Sequence, residues 1–300
     1  MKIVITGSLG NISKPLAEEL LQNDHQVTII SSSANRQEEI KKLGAEAAIG
    51  SLEDPAFLTR AFTGADAVYC MVPPNNYFDR DLNLREYYRR LGNNYVEAIT
   101  GSGVKRVVNL STIGGHLDKG NGILVGAHDV ATMLDALPDE VSVTHMRPTS
   151  FYYNLLGYIP MIKSQGVIMA NYGEEDIVPW VSPIDIAISI ADEITNSFTG
   201  RKIRYVASEE VSCSETATVL GAAIGKPDLK WIRISDQESL DGLVGIGMSP
   251  TIAAGLVEMY SALHTGLLAE DYYKHRPAVM GKVKLKDYAK EFADAYNKIS

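Results

Sequence analysis

The sequence predicts a doubly wound α/β fold, a parallel sheet with helices on both faces, followed by a smaller and mostly helical lobe. Three observations predict it. Short, near-continuous apolar runs alternate with amphipathic segments through the first half of the chain. A glycine-bearing turn joins the first run to the first helical pattern. The alternation loosens after about residue 150. Near-continuous apolar strands that alternate with helices are buried on both faces, as a covered parallel sheet requires.

In order, "KIVIT" (2–6), "QVTII" (26–30), "AEAAI" (45–49), "DAVYCMV" (66–72), "RVVNL" (106–110) and "VSVTHMR" (141–147) read as strands. Helical patterns fall between them at 13–23, 36–43, 55–63, 80–102 and 126–137. In the longest, Leu84, Tyr88, Leu91, Tyr95 and Ala98 recur at intervals of three and four, which puts them on one helical face. Beyond residue 150, Pro160, Pro179 and Pro183 interrupt the pattern, "KIRYVA" (202–207) reads as one late strand, and 235–299 is mostly helical. The expected division is a dinucleotide-binding unit over 1–150 and a substrate-side lobe over 151–300 that returns to the first sheet.

A formal charge of -9 argues against nucleic acid or an anionic membrane as the main partner, since both call for clustered Lys and Arg. The most basic stretch, "KVKLKDYAK" at 282–290, reads as a solvated helix face. Two cysteines, Cys70 and Cys213, exclude a disulfide framework and fit a reducing compartment. The six histidines show no metal-ligand spacing, and no apolar run approaches the ~20 residues of a membrane span. The chain opens on a strand pattern, so no leader is expected before it. The expectation is a cytoplasmic monomer or homodimer acting on a small molecule, with no metal.

"ITGSLGNIS" (5–13) is a candidate pyrophosphate loop. Chemistry of this kind needs a tight strand-to-helix turn whose amides face an anion at the helix N-terminus. Gly7 permits the turn and Gly10 permits close approach; Leu9, Asn11 and Ile12 complete the loop. Ser13 stands where a third glycine is usual and is expected to cap a helix beginning at Lys14–Pro15. A second glycine cluster, "GLVGIGMS" (242–249), follows no strand and reads as a loop between helices. At the end of the second strand, "SSSANR" offers Ser31, Ser32, Ser33 and Arg36 and no acid. A carboxylate there selects NAD, whereas its absence beside an arginine suits the phosphate of NADP. NADP is the expected cofactor; the alternative is an ordinary turn followed by a solvated arginine.

Five stretches carry a resemblance: the opening loop, "GSLEDPAFLTRAFTGADAVYCMVPP" (50–74), "GVKRVVNLST" (103–112), "MRPTSFYYNLL" (146–156) and "VPWVSPIDIA" (178–187). Over nearly its whole length the chain resembles the NmrA-like branch of the atypical short-chain dehydrogenase/reductases, NAD(P)-binding proteins of Rossmann type. The resemblance implies that Met71, Val72 and Pro73 line the nicotinamide side, that Pro148, Thr149 and Phe151 close over it, and that Ser51 and Leu52 lie by the adenine. Ser51 departs from the acid usual there, and Asp54 reads instead as a helix cap before Pro55. Ser111 and Thr112 fall by order on the superfamily's strand-end serine. Pro74, Tyr77, Tyr152, Tyr153 and Trp180 are candidates for an apolar substrate wall; the alternative for the aromatics is inter-lobe core.

The catalytic pair is missing. The superfamily's tyrosine acid is paired with a lysine four residues on, yet none of the fifteen tyrosines has one. His128 stands about where the lysine or a neighbouring histidine would fall, so His128 and Ser111 are the candidate catalytic groups, with a structural histidine as the alternative. Three functions remain open: an NAD(P)H-dependent oxidoreductase reducing a quinone or other small carbonyl compound, a cofactor-sensing binding protein without turnover, and a nucleotide-sugar epimerase, which the missing pair weakens.

Overall fold

Seven parallel strands form the backbone of the computed structural model, which describes residues 1–298. They are β1 (Lys2–Ile5), β2 (Gln26–Ser31), β3 (Glu46–Ile49), β4 (Ala67–Cys70), β5 (Arg106–Leu110), β6 (Ser142–Pro148) and, after β7 (Ser150–Phe151), β8 (Ile168–Ala170) and β9 (Ile177–Val181), the late strand β10 (Arg201–Val206). Their order across the sheet is β3-β2-β1-β4-β5-β6-β10, and every pairing between neighbours is parallel. The order reverses between β1 and β4, so a crevice opens there at the carboxyl ends of the strands.

Helices α1 (Ser13–Gln22), α2 (Gln37–Leu43), α3 (Pro55–Phe62), α4 (Leu84–Ser102), α5 (Val125–Asp135), α6 (Ile159–Gln165) and α7 (Pro183–Thr195) follow in chain order. The sequence periodicity explains which face each one covers. Leu16 and Leu20 of α1, Ile40 of α2 and Ile186 and Ile190 of α7 pack with Ile3, Ile5 and Ile29 on one side of the sheet. Leu58 and Phe62 of α3, Tyr95 and Ile99 of α4, and Val130 and Leu134 of α5 pack with Val4, Val68 and Val107 on the other. Alternate residues of each strand point to opposite faces, so both layers close over apolar side chains. Although α7 and β10 lie beyond residue 150, they belong to these layers.

The remaining chain contributes β11 (Glu209–Ser212), β12 (Trp231–Arg233), α8 (Cys213–Ala223), α9 (Asp236–Gly245), α10 (Pro250–His264), α11 (Glu270–Lys274) and α12 (Leu285–Lys298). It holds two small sheets, β11-β9-β7 and the parallel pair β12-β8, neither of which the sequence pattern revealed. These strands are two to five residues long, too short for an alternation to register, and Pro179 interrupts one of them. A third core joins Tyr152, Trp180, Leu220, Tyr272 and Phe292. Gly242 and Gly245 close α9, and the turn to α10 runs from Ile246 to Ser249, so "GLVGIGMS" is half helix end and half loop.

Asp185 at the start of α7 fastens the two lobes. Its buried carboxylate accepts hydrogen bonds from Ser208 Oγ at 2.6 Å and from the amides of Lys282 and Val283 at 2.9 and 3.1 Å. Lys284 donates to the Ser208 carbonyl at 2.6 Å. The basic stretch 282–290 is therefore part clasp and part helix: Leu285 and Tyr288 are buried on α12, and Lys286, Asp287 and Lys290 face solvent. Among the described residues no helix is long and apolar enough to cross a membrane.

Candidate functional site

The loop after β1 is built to leave room for an anion. Gly7 has φ +89°, which L residues adopt only with strain, and a Cβ there would stand 2.5 Å from Ser13 Oγ and 3.2 Å from the Met71 side chain. Ser8 follows at φ +54°, and Gly10 is exposed, its missing Cβ directed at the Gly7 carbonyl 3.0 Å away. Ser13 does not cap α1 as expected. It is buried as the first helical residue, and its hydroxyl donates to the Thr6 carbonyl at 2.8 Å. Ile12 holds the cap position, and no side chain bonds to the helix end. At this helix start the Lys14 and Leu16 amides already donate to the Gly10 and Ile12 carbonyls and Pro15 has none, so the amides of Leu9, Asn11, Ile12 and Ser13 are the ones left without a partner among the described residues, with the positive end of the helix dipole behind them. A diphosphate fits this cradle by the chemistry of its donors.

Across the switch point, Met71 is held at both ends. Its amide donates to Thr6 Oγ1 at 3.0 Å and its carbonyl accepts from Tyr95 at 2.6 Å. Val72 and Pro73 continue half-buried and Pro74 is exposed. Thr6 and Tyr95 were not legible as site residues, because one ends an apolar strand and the other lies on the apolar face of α4.

At the end of β2, Ser31 is buried; it accepts from Ser8 at 2.9 Å and from the Ser33 amide at 3.2 Å, so it orders the loop. Ser32 and Ser33 are exposed beside the turn Ala34–Arg36. Arg36 is not a free cation: its Nη1 lies 2.6 Å from Glu39 Oε2. After β3, the Ser51 hydroxyl accepts from the Glu53 amide at 3.1 Å, and Leu52 gives its carbonyl to Asn94 at 2.9 Å. Asp54 caps α3 as expected, accepting from Phe57 N at 3.0 Å.

Beyond β5, Ser111 Oγ is buried with no hydrogen-bond partner among the described residues, beside half-buried Thr112. His128 Nδ1 meets the Gly115 carbonyl at 3.2 Å. A carbonyl only accepts, so Nδ1 carries a proton and Nε2 is the nitrogen left without a partner in this contact. The ring lines a hollow of about 490 Å³ with Glu86, Arg89 and Thr132, on the outer side of α4 and α5. There Asp129 takes Arg85 in a two-pronged pair at 2.7 and 2.9 Å and Arg89 at 2.7 Å.

Pro148 and Thr149 are buried, and Thr149 donates to the Val206 carbonyl at 3.3 Å. Phe151 is half-buried with its ring 5.0 Å from that of Tyr153. Arg147, which begins the Arg-Pro-x-x-Phe-x-x-Asn run, is buried in an ion pair with Asp271 at 2.8 Å and ties β6 to α11. Tyr152 and Trp180 do not wall a pocket. They are 0% and 1% exposed and stacked in the core of the second lobe, with Tyr152 also stacked on Tyr288.

Three other phenols gather where the loop after β4 meets α4 and the turn after β7: Tyr77, Tyr88 and Tyr153. Tyr88 fills the space left by Gly126 of α5, where a Cβ would lie 2.5 Å from its ring. Their hydroxyls make no hydrogen bond among the described residues. Burial raises all three pKa values, that of Tyr153 to about 12, and the neighbouring phenols add to the rise at Tyr88 and Tyr153. At neutral pH they are uncharged donors. Tyr88 was legible only as core.

Sheet order, glycine cradle and uncapped helix together define a dinucleotide-binding α/β protein. Residues 7–136 match the family model described as NAD(P)H-binding, so the chain carries an NAD(P)H-binding domain of Rossmann-like fold. An NAD(P)H azoreductase of Xenophilus azovorans is 23% identical over 268 residues, 89% of each chain. Among solved structures, the triphenylmethane reductase of Citrobacter sp. superposes with a TM-score of 0.78 at 20% identity, over 98% of this chain and 100% of that one. An NADPH-dependent quinone oxidoreductase from Escherichia coli superposes at 0.77 and 18% identity, over 96% and 98%.

Proposed function

We propose that the chain is an NADPH-preferring reductase of quinone-like acceptors, of the NmrA-like type. The observation that carries the reading is the cradle at the switch point, where Gly7, Gly10 and the uncapped start of α1 face the crevice. The acceptor class is supported by the relatives, whose names concern azo compounds, triphenylmethane dyes and quinones.

In this reading the loop Gly7–Ile12 holds the diphosphate through the amides of Leu9, Asn11 and Ile12, with Gly7 and Gly10 leaving it room; Ser32, Ser33 and Arg36 meet the ribose phosphate, and Ser51 and Leu52 border the adenine. Met71–Pro73, Thr112, Pro148, Thr149 and Phe151 flank the nicotinamide. When bound, the cofactor supplies a hydride. The chain's own task is to exclude water, orient the acceptor and provide a proton to its oxygen or nitrogen. Ser111, Tyr77 and Tyr153 are the neutral hydroxyls placed for it, and such acceptors need little acid help once positioned. Both cysteines are free and buried, which suits a cytoplasmic setting.

The test is NADPH consumption, followed by absorbance, with a panel of quinones, azo dyes and simple aldehydes. Turnover of the conjugated acceptors supports the reading. Tight NADP binding with no turnover of any acceptor replaces it with the sensor, which the missing tyrosine–lysine pair favours.

A further inference from the structure

The end of β2 holds a charge pair placed to set cofactor choice. In a doubly wound fold this is where the adenosine ribose is read, by an acid for NAD or a cation for NADP. This chain puts both signs there. Arg36 closes the turn Ala34–Arg36, and Glu39 stands three residues on, in the first turn of α2. They touch through one contact, Nη1 to Oε2 at 2.6 Å, and both are half exposed, 51% and 50%. Serine hydroxyls are the other groups at the strand end, and Ser31 is already committed to Ser8 and Ser33.

We propose that Glu39 competes with the cofactor's 2′-phosphate for Arg36 and so limits the preference for NADPH, which keeps NADH usable at the same site. The proposal rests on the reductase reading and on Arg36 as the phosphate contact. The physical case has two parts. Arg36 is engaged before the phosphate arrives, and the phosphate, once there, lies near an uncompensated carboxylate. A ribose hydroxyl meets neither penalty. An exposed single-contact pair is weak enough to exchange, whereas a guanidinium presents a planar fork that suits phosphate better than one carboxylate oxygen. Neighbouring Glu38 offers a control, because it carries the same charge one residue away, is 75% exposed and pairs with Lys41, at 3.2 Å.

The test is fluorescence titration of NADPH and NADH, without acceptor, against wild type, Glu39→Gln, Glu38→Gln, Arg36→Ala and the Arg36→Ala/Glu39→Gln double variant. All these side chains are at the surface, and thermal melts verify folding. Glu39→Gln is expected to raise the ratio of NADH to NADPH dissociation constants by about two- to fivefold, the range of an exposed pair. Glu38→Gln removes the same charge and should leave that ratio unchanged. In the Arg36→Ala background, Glu39→Gln should lose most of its effect, and higher salt should shrink it. Equal shifts for both glutamine variants, or none for Glu39→Gln, overturn the proposal while leaving the reductase reading intact. Failure of either nucleotide to bind overturns the reading itself.

Discussion

Replacing Gly10 by aspartate should abolish dinucleotide binding and leave the fold standing. Gly10 is exposed, and its backbone is not in the left-handed region, so a side chain adds little strain. A Cβ there would lie 3.0 Å from the Gly7 carbonyl, which demands a shift of a few tenths of an ångström. The cost to stability should stay below about 1 kcal/mol, as for most surface substitutions. Binding is another matter. The carboxylate projects from the loop into the region where the diphosphate meets the first amides of α1. Charged hydrogen bonds to those amides are worth roughly 1.5–3 kcal/mol each, and an anion at a helix N-terminus gains up to about 2 kcal/mol more. Losing one such bond and the dipole contribution removes about 3 kcal/mol or more, a weakening of roughly 100-fold or beyond. Calorimetric titration of NADPH against wild type, Gly10→Ala and Gly10→Asp measures it, with the alanine variant between the two. A folded Gly10→Asp protein that binds NADPH with wild-type affinity would refute the cradle, and the reductase reading with it.

Four further outcomes are expected. Arg36→Ala should weaken NADPH by about tenfold or more and NADH little, since it deletes a charge-assisted contact; equal losses in titration would show that Arg36 does not read the phosphate. His128→Phe should leave quinone turnover within a few-fold, because the ring lines the hollow between α4 and α5 with Glu86 and Arg89, whereas a fall of roughly 100-fold at unchanged cofactor affinity would make it the acid. Asp129 is held below the usual carboxylate range by its bonds to Arg85, so its contribution to stability is full above the unfolded pKa of about 3.9 and is lost as pH falls toward the lower folded value; the urea midpoint of Asp129→Asn should decline less than wild type through that window. Asp185→Ala should cost about 3 kcal/mol in urea unfolding by stranding Ser208 and two amides, and should speed proteolysis near Lys282; an unchanged midpoint would mean the clasp holds nothing.

How much of this was legible in the sequence depended on how far each signal reached along the chain. The seven sheet strands were read to within two residues or so, because their apolar runs and the glycine turns between them are local signals. Ser13 was placed at the right point but given the wrong bond: helix-start serines usually cap, and only the fold shows the Thr6 carbonyl 2.8 Å from its hydroxyl. Tyr152 and Trp180 could be read as pocket wall or core, and long-range stacking with Tyr288 decided for core. Thr6, Tyr95 and Tyr88 were invisible as site residues for the same reason. Thr6 and Tyr95 act on Met71 across 65 and 24 residues, and Tyr88 packs on Gly126, separations no periodicity encodes.

The absent tyrosine–lysine pair bears on which acceptors the crevice can serve. A simple ketone holds its charge on one oxygen after reduction and needs a strong, positioned acid, which a phenol with a raised pKa does not supply. A conjugated acceptor spreads that charge over a ring system, so its protonation can wait for a weak donor or for water. Tyr77, Tyr88 and Tyr153, kept neutral by burial, suit that second case: they can donate hydrogen bonds and present ring faces without supplying a strong acid. The rate on quinones should therefore vary little between about pH 6 and 8, since neither a serine hydroxyl nor a phenol with a raised pKa titrates in that range. A rate that falls as pH rises through neutrality, recorded at saturating NADPH, would show instead that an imidazole does the work.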